Sequence, residues 1–245
     1  MRRKLPLTAV RTVRDVARPN CCGRWNAMLR ILFEKTGNAV WISHLDLMRL
    51  FQRAFQRAGL PLTHTQGYNP RPSVSIALPL SVGIESRCEL LDFTLDTDAV
   101  DIESLPQRLN EKLIPGVRVL AAYADGRKLK DLTHMAVTVT LTYDAGVPDG
   151  AEEAIRNLLA ESSIIVPKKG KNGTIDQDII PMIRRVSVAG ESNCITLNAV
   201  ICCQNPTLNP MQLASAIAIH LPQFYPDDVT CGRVEVYDNN EVVFR

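Results

Sequence analysis

The sequence predicts an α+β protein made of two tandem ferredoxin-like units, each with the element order β-α-β-β-α-β and an antiparallel sheet. One observation behind this prediction is that strand and helix patterns follow the same order twice, over residues 28–124 and 134–245. The other is a polar, charged connector between the two stretches, ADGRKLKDLT at residues 124–133. No residue-level identity relates the halves. The prediction therefore rests on element order, and a single α+β sheet of mixed topology is the alternative.

The first unit contains four strand patterns and two helix patterns. Strands are predicted at 28–35, 73–80, 88–95 and 117–123, and helices at 43–58 and 101–113. Pro106 confines the regular part of the second helix mostly to the residues after it, because proline lacks the N–H that a helix interior needs. Gly83 lies in the turn between the two middle strands.

The second unit follows a similar course. We predict strands at 135–143, 182–189, 194–203 and 233–237, helices at 150–161 and 209–221, and an extended piece at 163–167. The turn residues Asp238, Asn239 and Asn240 predict a final hairpin that pairs 233–237 with 241–244.

The composition is that of a soluble globular protein. Hydrophobic residues make up 46% and charged residues 22%, and no apolar run is long enough to cross a membrane. No signal peptide is recognisable at the start. The seven cysteines include the vicinal pairs Cys21–Cys22 and Cys202–Cys203, which is not the pattern of a disulfide framework. We therefore expect a cytoplasmic protein with no membrane partner.

The charge is unevenly distributed along the chain. Residues 1–27 hold seven basic side chains against one acidic one, whereas residues 28–245 hold 21 basic and 25 acidic ones. We predict that residues 1–27 are a disordered basic leader, with a targeting or nucleic-acid-binding arm as the alternative. Because the remaining chain is mildly acidic, any binding of nucleic acid must come from local patches.

The helix predicted at 43–58 carries a regular row of positive charge. Arg49, Arg53 and Arg57 recur at every fourth residue and lie opposite the apolar side of the helix. Ser43 and Asp46 resemble a capping box at its start. Three like charges repel by roughly 0.2–0.5 kcal/mol per step, so a solvated helix face explains them as well as an anion-binding surface does.

The loop after this helix favours the second interpretation. It holds a dense set of polar and aromatic groups, namely His64, Gln66, Tyr68, Asn69 and Arg71. Arginine together with a stackable ring suits phosphate and base contacts with single-stranded RNA. We therefore predict that these five residues, with the three arginines, bind RNA or a protein partner.

Two further segments have alternative interpretations. His44 is predicted at the first helical position, where it could transfer protons, although a histidine that merely packs at the helix start is the simpler explanation. The acidic residues between Glu85 and Glu103, which include Glu89 and Asp92, are expected on an exposed strand edge and helix start. The four histidines show no metal-binding spacing, so we expect no metal site and no cofactor.

Several motifs resemble one bacterial family. They are KTG at 35–37, SHLDLMRLFQRAFQRAGLP at 43–61, TQGYNPRPSVSIALPLSVGIES at 65–86 and the RxEVY ending at 233–237. With these motifs the chain resembles the radical-SAM-associated domain of unknown function. The resemblance implies a radical SAM and B12-binding enzyme as partner. The chain itself lacks the closely spaced cysteine trio that holds a radical SAM cluster.

Three functional hypotheses follow. The first is a non-catalytic RNA-binding accessory protein that acts with a radical SAM enzyme in RNA processing or modification. The second is a metal-independent RNA endonuclease or RNA-modifying enzyme that uses His44. The third is a protein–protein adaptor that docks on the radical SAM partner.

Overall fold

The protein is a mixed α/β structure with one large sheet. The computed structural model describes residues 28–97, 100–124, 126–170 and 173–245, so the predicted leader 1–27 lies outside the described residues. Within them the chain forms ten strands and four α-helices. Eight strands build the large sheet and two build a separate hairpin. The predicted α+β class is confirmed at this level.

The helices and strands begin and end close to their predicted positions. The strands are β1 Leu29–Lys35, β2 Val74–Ala77, β3 Glu85–Phe93, β4 Val117–Ala124, β5 His134–Thr142, β6 Ile165–Gly170, β7 Gly173–Asp178, β8 Ile183–Gly190, β9 Cys194–Cys202 and β10 Asp228–Tyr237. The helices are α1 His44–Arg57, α2 Leu105–Asn110, α3 Ala151–Leu159 and α4 Met211–His220.

Several elements differ from prediction. Strand β10 begins at Asp228, five residues before the predicted start at 233, and its predicted hairpin with 241–244 is a single bridge between Tyr237 and Val243. The helix expected at 101–113 is a 3-10 turn, Ile102–Ser104, followed by the short α2. Pro106 lies in the first turn of α2, where a proline is tolerated because its missing N–H has no helical partner there. The extended piece expected at 163–167 is part of the β6–β7 hairpin, whose two strands pair only with each other.

Strand pairing follows the same order in each half. In the first half β1 lies between β4 and β3, antiparallel to both, and β2 pairs with β3. In the second half β5 lies between β10 and β9, and β8 pairs with β9, again antiparallel throughout.

The two halves share one sheet, which differs from the predicted pair of antiparallel sheets. Strand β10 runs parallel to β3, with Gly232 opposite Glu85 and Arg233 opposite Ser86. The complete order is β4-β1-β3-β10-β5-β9-β8. The alternative of a single sheet with mixed topology describes this pairing better, and the division into units at 28–124 and 134–245 stays a prediction.

Two hydrophobic cores lie on opposite faces of this sheet. Leu91 and Phe93 of β3 pack with α1 and α2, whereas Cys88 and Leu90 of the same strand join the core that contains α3 and α4. Because alternate residues of a strand point to opposite faces, the two helix pairs cover different faces.

Two acidic residues of β3, Glu89 and Asp92, are buried, which corrects the expectation of an exposed edge for them. Glu89 is 1% exposed and Asp92 is 8% exposed, since β3 is an inner strand. Asp92 accepts two hydrogen bonds from Arg30, and Glu89 accepts one from Arg233. Each buried carboxylate thus has a cationic partner from another strand, as burial of a charge requires.

Candidate functional site

Helix α1 begins at the predicted cap. The Ser43 hydroxyl accepts a hydrogen bond from the Asp46 backbone N–H at 3.2 Å and donates one to the Asp46 carboxylate at 2.7 Å. At the other end Gly59 has a φ of 67°, which favours glycine, and the Leu60 N–H bonds back to the Phe55 carbonyl. Local sequence signals therefore determine both ends of the helix.

The apolar side of α1 anchors it on the sheet. Phe51 contacts the ring of Phe33 with centroids 4.7 Å apart, and Phe55 contacts Phe93 at the same centroid distance. All four rings are fully buried. This packing turns the arginine row away from the sheet and fixes its position.

The three predicted arginines line one surface groove, which we call the arginine groove. It has a volume of about 540 Å³. Its walls are Ile42, Asp46, Arg49, Leu50, Arg53, Arg57 and Ile114. The groove therefore combines exposed guanidinium groups with three aliphatic side chains.

The charge in this groove is only partly compensated. Arg49 pairs with Asp46 at 3.0 Å, and both side chains are exposed. Hydrogen bonds from Ser43 and then from Arg49 hold the pKa of Asp46 below its usual value, so this carboxylate stays negative. Within the described part of the chain, no ion pair involves Arg53 or Arg57. The far end of the groove is thus positive.

The backbone around the groove is held by buried contacts. The ammonium of Lys35, which is 1% exposed, donates a hydrogen bond to the Ile42 carbonyl at 2.9 Å. The Thr36 N–H donates to the Gly116 carbonyl at 2.8 Å, two residues after Ile114. A Cβ at Gly116 would lie 2.4 Å from the Thr36 carbonyl oxygen, so only glycine permits this approach.

The predicted loop residues form a separate feature. His64 pairs with Pro72 in a short bridge, and the Thr65 N–H donates to the Arg71 carbonyl at 2.8 Å. His64, Gln66, Tyr68, Asn69 and Arg71 are all exposed. None of them lines the arginine groove, and no hydrogen bond or ion pair joins the two among the residues described. The predicted site is therefore divided into two separate surfaces, which lie close together in the sequence.

His44 lies at the first position of α1 and is half-buried. It does not line the groove. In the described chain it makes no side-chain hydrogen bond and no ion pair, so no carboxylate orients its ring. A proton-transfer role would need such a partner from outside these residues.

Sequence reasoning missed the aliphatic part of the groove. Ile42, Leu50 and Ile114 come from the turn before α1, from α1 itself and from the segment after α2. Ile114 is distant in sequence and has no motif around it, so only the fold brings it to the arginines. A signal did exist for Leu50, because it is adjacent to Arg49 on the border of the apolar arc.

Other site types find no support in the described residues. They contain no group of three or more His, Cys, Asp or Glu that could hold a metal ion. Among them, no helix is both long enough and apolar enough to span a membrane. A basic stretch, 168–173, includes the end of β6 and the start of β7, and Lys171 and Asn172 within it lie outside the described residues.

Fold and groove together define a mixed α/β protein with a cationic surface groove. Residues 28–210 match a bacterial protein family, DUF2344, described as an uncharacterized protein conserved in bacteria, and the chain belongs to this family. No curated protein matches the chain. The crystal structure of an unknown protein from Galdieria sulphuraria is similar at 12% sequence identity with a TM-score of 0.26, covering 85% of this chain and 99% of the other.

Proposed function

We propose that the protein is a non-catalytic RNA-binding module whose arginine groove receives single-stranded RNA. The observation that carries this proposal is that Arg53 and Arg57 line one groove without any ion pair in the described residues. Other described arginines without an ion pair, such as Arg87 and Arg118, do not line this groove. Many of the remaining arginines are matched to carboxylates. The pairs include Arg30–Asp92, Arg127–Asp238, Arg233–Glu89 and Arg245–Glu235.

The chemistry of the groove suits a nucleic acid strand. Guanidinium groups bind phosphate oxygens through paired, charge-assisted hydrogen bonds. A four-residue step along α1 raises each arginine about 6 Å above the previous one, which lets a row of arginines follow a row of phosphates. Aliphatic side chains beside that row, Leu50 among them, can contact sugars and bases.

The loop with His64, Gln66, Tyr68, Asn69 and Arg71 supports the same proposal. All five side chains are exposed, and Tyr68 is fully so. A strand that leaves the groove could meet there a further cation on Arg71 and hydrogen-bonding groups for base edges.

The resemblance to the radical-SAM-associated domain extends the proposal to a partner. We infer that the protein presents RNA to a radical SAM and B12-binding enzyme in RNA processing or modification. We also infer that each half is a ferredoxin-like unit, supported by the common strand order in the two halves. That fold occurs in several RNA-processing proteins, which is an analogy and no proof of function.

A salt titration of the full chain against a short fluorescent single-stranded RNA tests the binding. We expect the double variant Arg53→Gln, Arg57→Gln to bind on the order of tenfold more weakly at low salt. The slope of log K against log salt should fall by about 1.4, because each lost phosphate contact removes about 0.7. The matched control is Arg87→Gln, Arg118→Gln, which removes two exposed and unpaired arginines of the described chain outside the groove. Equal loss in both variants, or no binding by the wild type, would contradict the proposal.

A protein–protein adaptor is the second candidate. The observation that favours it is the aliphatic side of the groove, because Ile42, Leu50 and Ile114 with flanking arginines would also suit an acidic, amphipathic segment of a partner. Co-elution with the radical SAM partner in size-exclusion chromatography tests it. This candidate predicts co-elution that the arginine variants lose, together with no binding of RNA.

The fold does not support the enzyme hypothesis that uses His44, because no described residue forms a hydrogen bond or ion pair with the side chain of this histidine. It predicts that His44→Ala abolishes RNA turnover and leaves RNA affinity unchanged. A single-turnover assay on a labelled RNA distinguishes it from the accessory role.

A further inference from the structure

The residue immediately before the groove is an exposed tryptophan. Trp41 ends the 3-10 turn Gly37–Trp41 and is directly followed by Ile42, a wall of the arginine groove. It is 70% exposed, although tryptophan is one of the residue types that proteins bury most extensively. An indole left in water on the residue that precedes a groove wall needs an explanation other than core packing.

The backbone on both sides of this ring is fixed. The Gly83 N–H donates to the Val40 carbonyl at 2.9 Å, and the Ile42 N–H donates to the Ala39 carbonyl at 3.0 Å. Buried Lys35 holds the Ile42 carbonyl, as described above. Trp41 therefore stands on a rigid support, so ordering it on binding costs little backbone entropy.

The ring itself rests on a glycine. A Cβ at Gly83 would lie 3.4 Å from Cζ3 and 3.7 Å from Cη2 of Trp41, which is van der Waals contact, so the six-membered ring lies directly against this position. Gly83 also has a φ of 87°, a conformation that favours glycine. The position thus supports the indole at its edge and leaves most of its surface open to solvent.

Other exposed aromatic rings lack this combination. Tyr68 lies at the tip of the loop, and no contact to its ring is found in the described chain. Tyr225 lies in the second half, outside the groove. Among the exposed rings that the structure describes, Trp41 is the one whose neighbour in sequence, Ile42, lines the groove.

We propose that the indole of Trp41 is the platform on which the RNA in the arginine groove stacks an unpaired base. This inference rests on the proposed function and deepens it, because it names the side chain that would distinguish single-stranded from duplex RNA. A base inside a duplex already has both faces covered by its neighbours, whereas an unpaired base can place one face on the indole. Phosphates on Arg53 and Arg57 would hold the strand while the base makes the sequence-tolerant contact.

The test uses the full chain with Trp25→Phe, so that tryptophan emission comes from Trp41. Three probes are compared: a short oligoadenylate RNA, an abasic ribose-phosphate oligomer of the same length, and an RNA duplex. We expect oligoadenylate to quench the emission and to bind roughly five- to hundredfold more tightly than the abasic oligomer. Trp41→Ala should abolish that difference, and Trp41→Phe should keep most of it.

The control variants separate this inference from the function on which it rests. Tyr225→Ala removes another exposed aromatic ring and should leave the affinity for oligoadenylate unchanged. If Trp41→Ala binds oligoadenylate as the parent does, while the arginine variants lose binding, the stacking role is wrong and the RNA function stands. Equal weakening for the abasic oligomer would likewise overturn stacking. If the parent binds none of the probes, both proposals fail.

Discussion

Arg233 on β10 and Glu89 on β3 form a buried ion pair, with 2.7 Å between Nη1 and Oε1, that joins the two halves of the protein. The same Nη1 donates to the Leu78 carbonyl at 3.0 Å. Glu89 also faces the positive charge of Lys35, whose pKa is lowered by burial and raised in part by this carboxylate. One carboxylate thus balances two buried cations.

Because Glu89 is shared by two cations, replacing Glu89 should lower the free energy of unfolding more than replacing Arg233. Glu89→Gln leaves both cations buried without their carboxylate and should lower the free energy of unfolding by about 3–5 kcal/mol. Arg233→Met leaves Glu89 beside Lys35 and should cost less, about 1–3 kcal/mol. Urea unfolding measures both values. The exposed pair Arg156–Glu152 is the control, because either substitution there should cost less than about 1 kcal/mol. A larger loss in Arg233→Met than in Glu89→Gln would contradict the sharing.

The cap of α1 gives a second prediction. Ser43→Ala removes the acceptor for the Asp46 N–H and should cost about 1 kcal/mol of stability. Ser43→Asn keeps an acceptor and should restore most of it. Urea unfolding of the two variants checks this pair. An alanine variant as stable as the wild type would show that the Asp46 carboxylate alone orders the first turn.

His134 predicts how stability depends on pH. Burial, and then the positive charge of Arg184, lower its pKa below the usual value. The unfolded chain therefore takes up a proton near its ordinary pKa of about 6.5, before the folded protein does, and the free energy of unfolding falls as the pH drops through that range. Urea unfolding between pH about 7.5 and 5.5 measures the slope. His134→Gln should flatten it, and an unchanged slope in this variant would assign the effect to other groups.

The cysteines predict a pattern of chemical labelling. Burial raises the pKa of Cys88, Cys203 and Cys231 to about 12, although the charge of Arg233 opposes the shift. These thiols stay protonated at neutral pH, and iodoacetamide reacts with the thiolate. Among the described cysteines, half-buried Cys194 should therefore be labelled before these three. Peptide mapping by mass spectrometry checks the order, with urea-unfolded protein as the control in which all sites react. Early labelling of the three buried thiols would contradict it.

Local signals explain why helix α1 was predicted closely. The apolar spacing of Leu47, Phe51 and Phe55 sets the face, Ser43 sets the start and Gly59 sets the end. All of these signals lie in or directly beside the helix itself. The arginine row follows from the same periodicity, so its convergence on one groove was predictable once the helix was.

Contacts between distant residues explain what the sequence did not predict. The single sheet depends on two residue pairs between β3 and β10, Glu85 with Gly232 and Ser86 with Arg233. Nothing near either strand encodes that pairing. The acidic residues of β3 were expected at the surface for the same reason, because Arg233, the partner of Glu89, is 144 residues away. Trp41 was overlooked because no periodic pattern contains it.

The position of β10 has a consequence for biosynthesis. This strand lies between β3 and β5 in the finished sheet, yet it leaves the ribosome after every other strand described. Until it arrives, the nascent first half exposes part of the β3 edge, and Glu89 faces Lys35 without Arg233. Unpaired edges and uncovered apolar surface are the features that chaperones bind. The sheet is therefore completed only after residues of both halves have been synthesised.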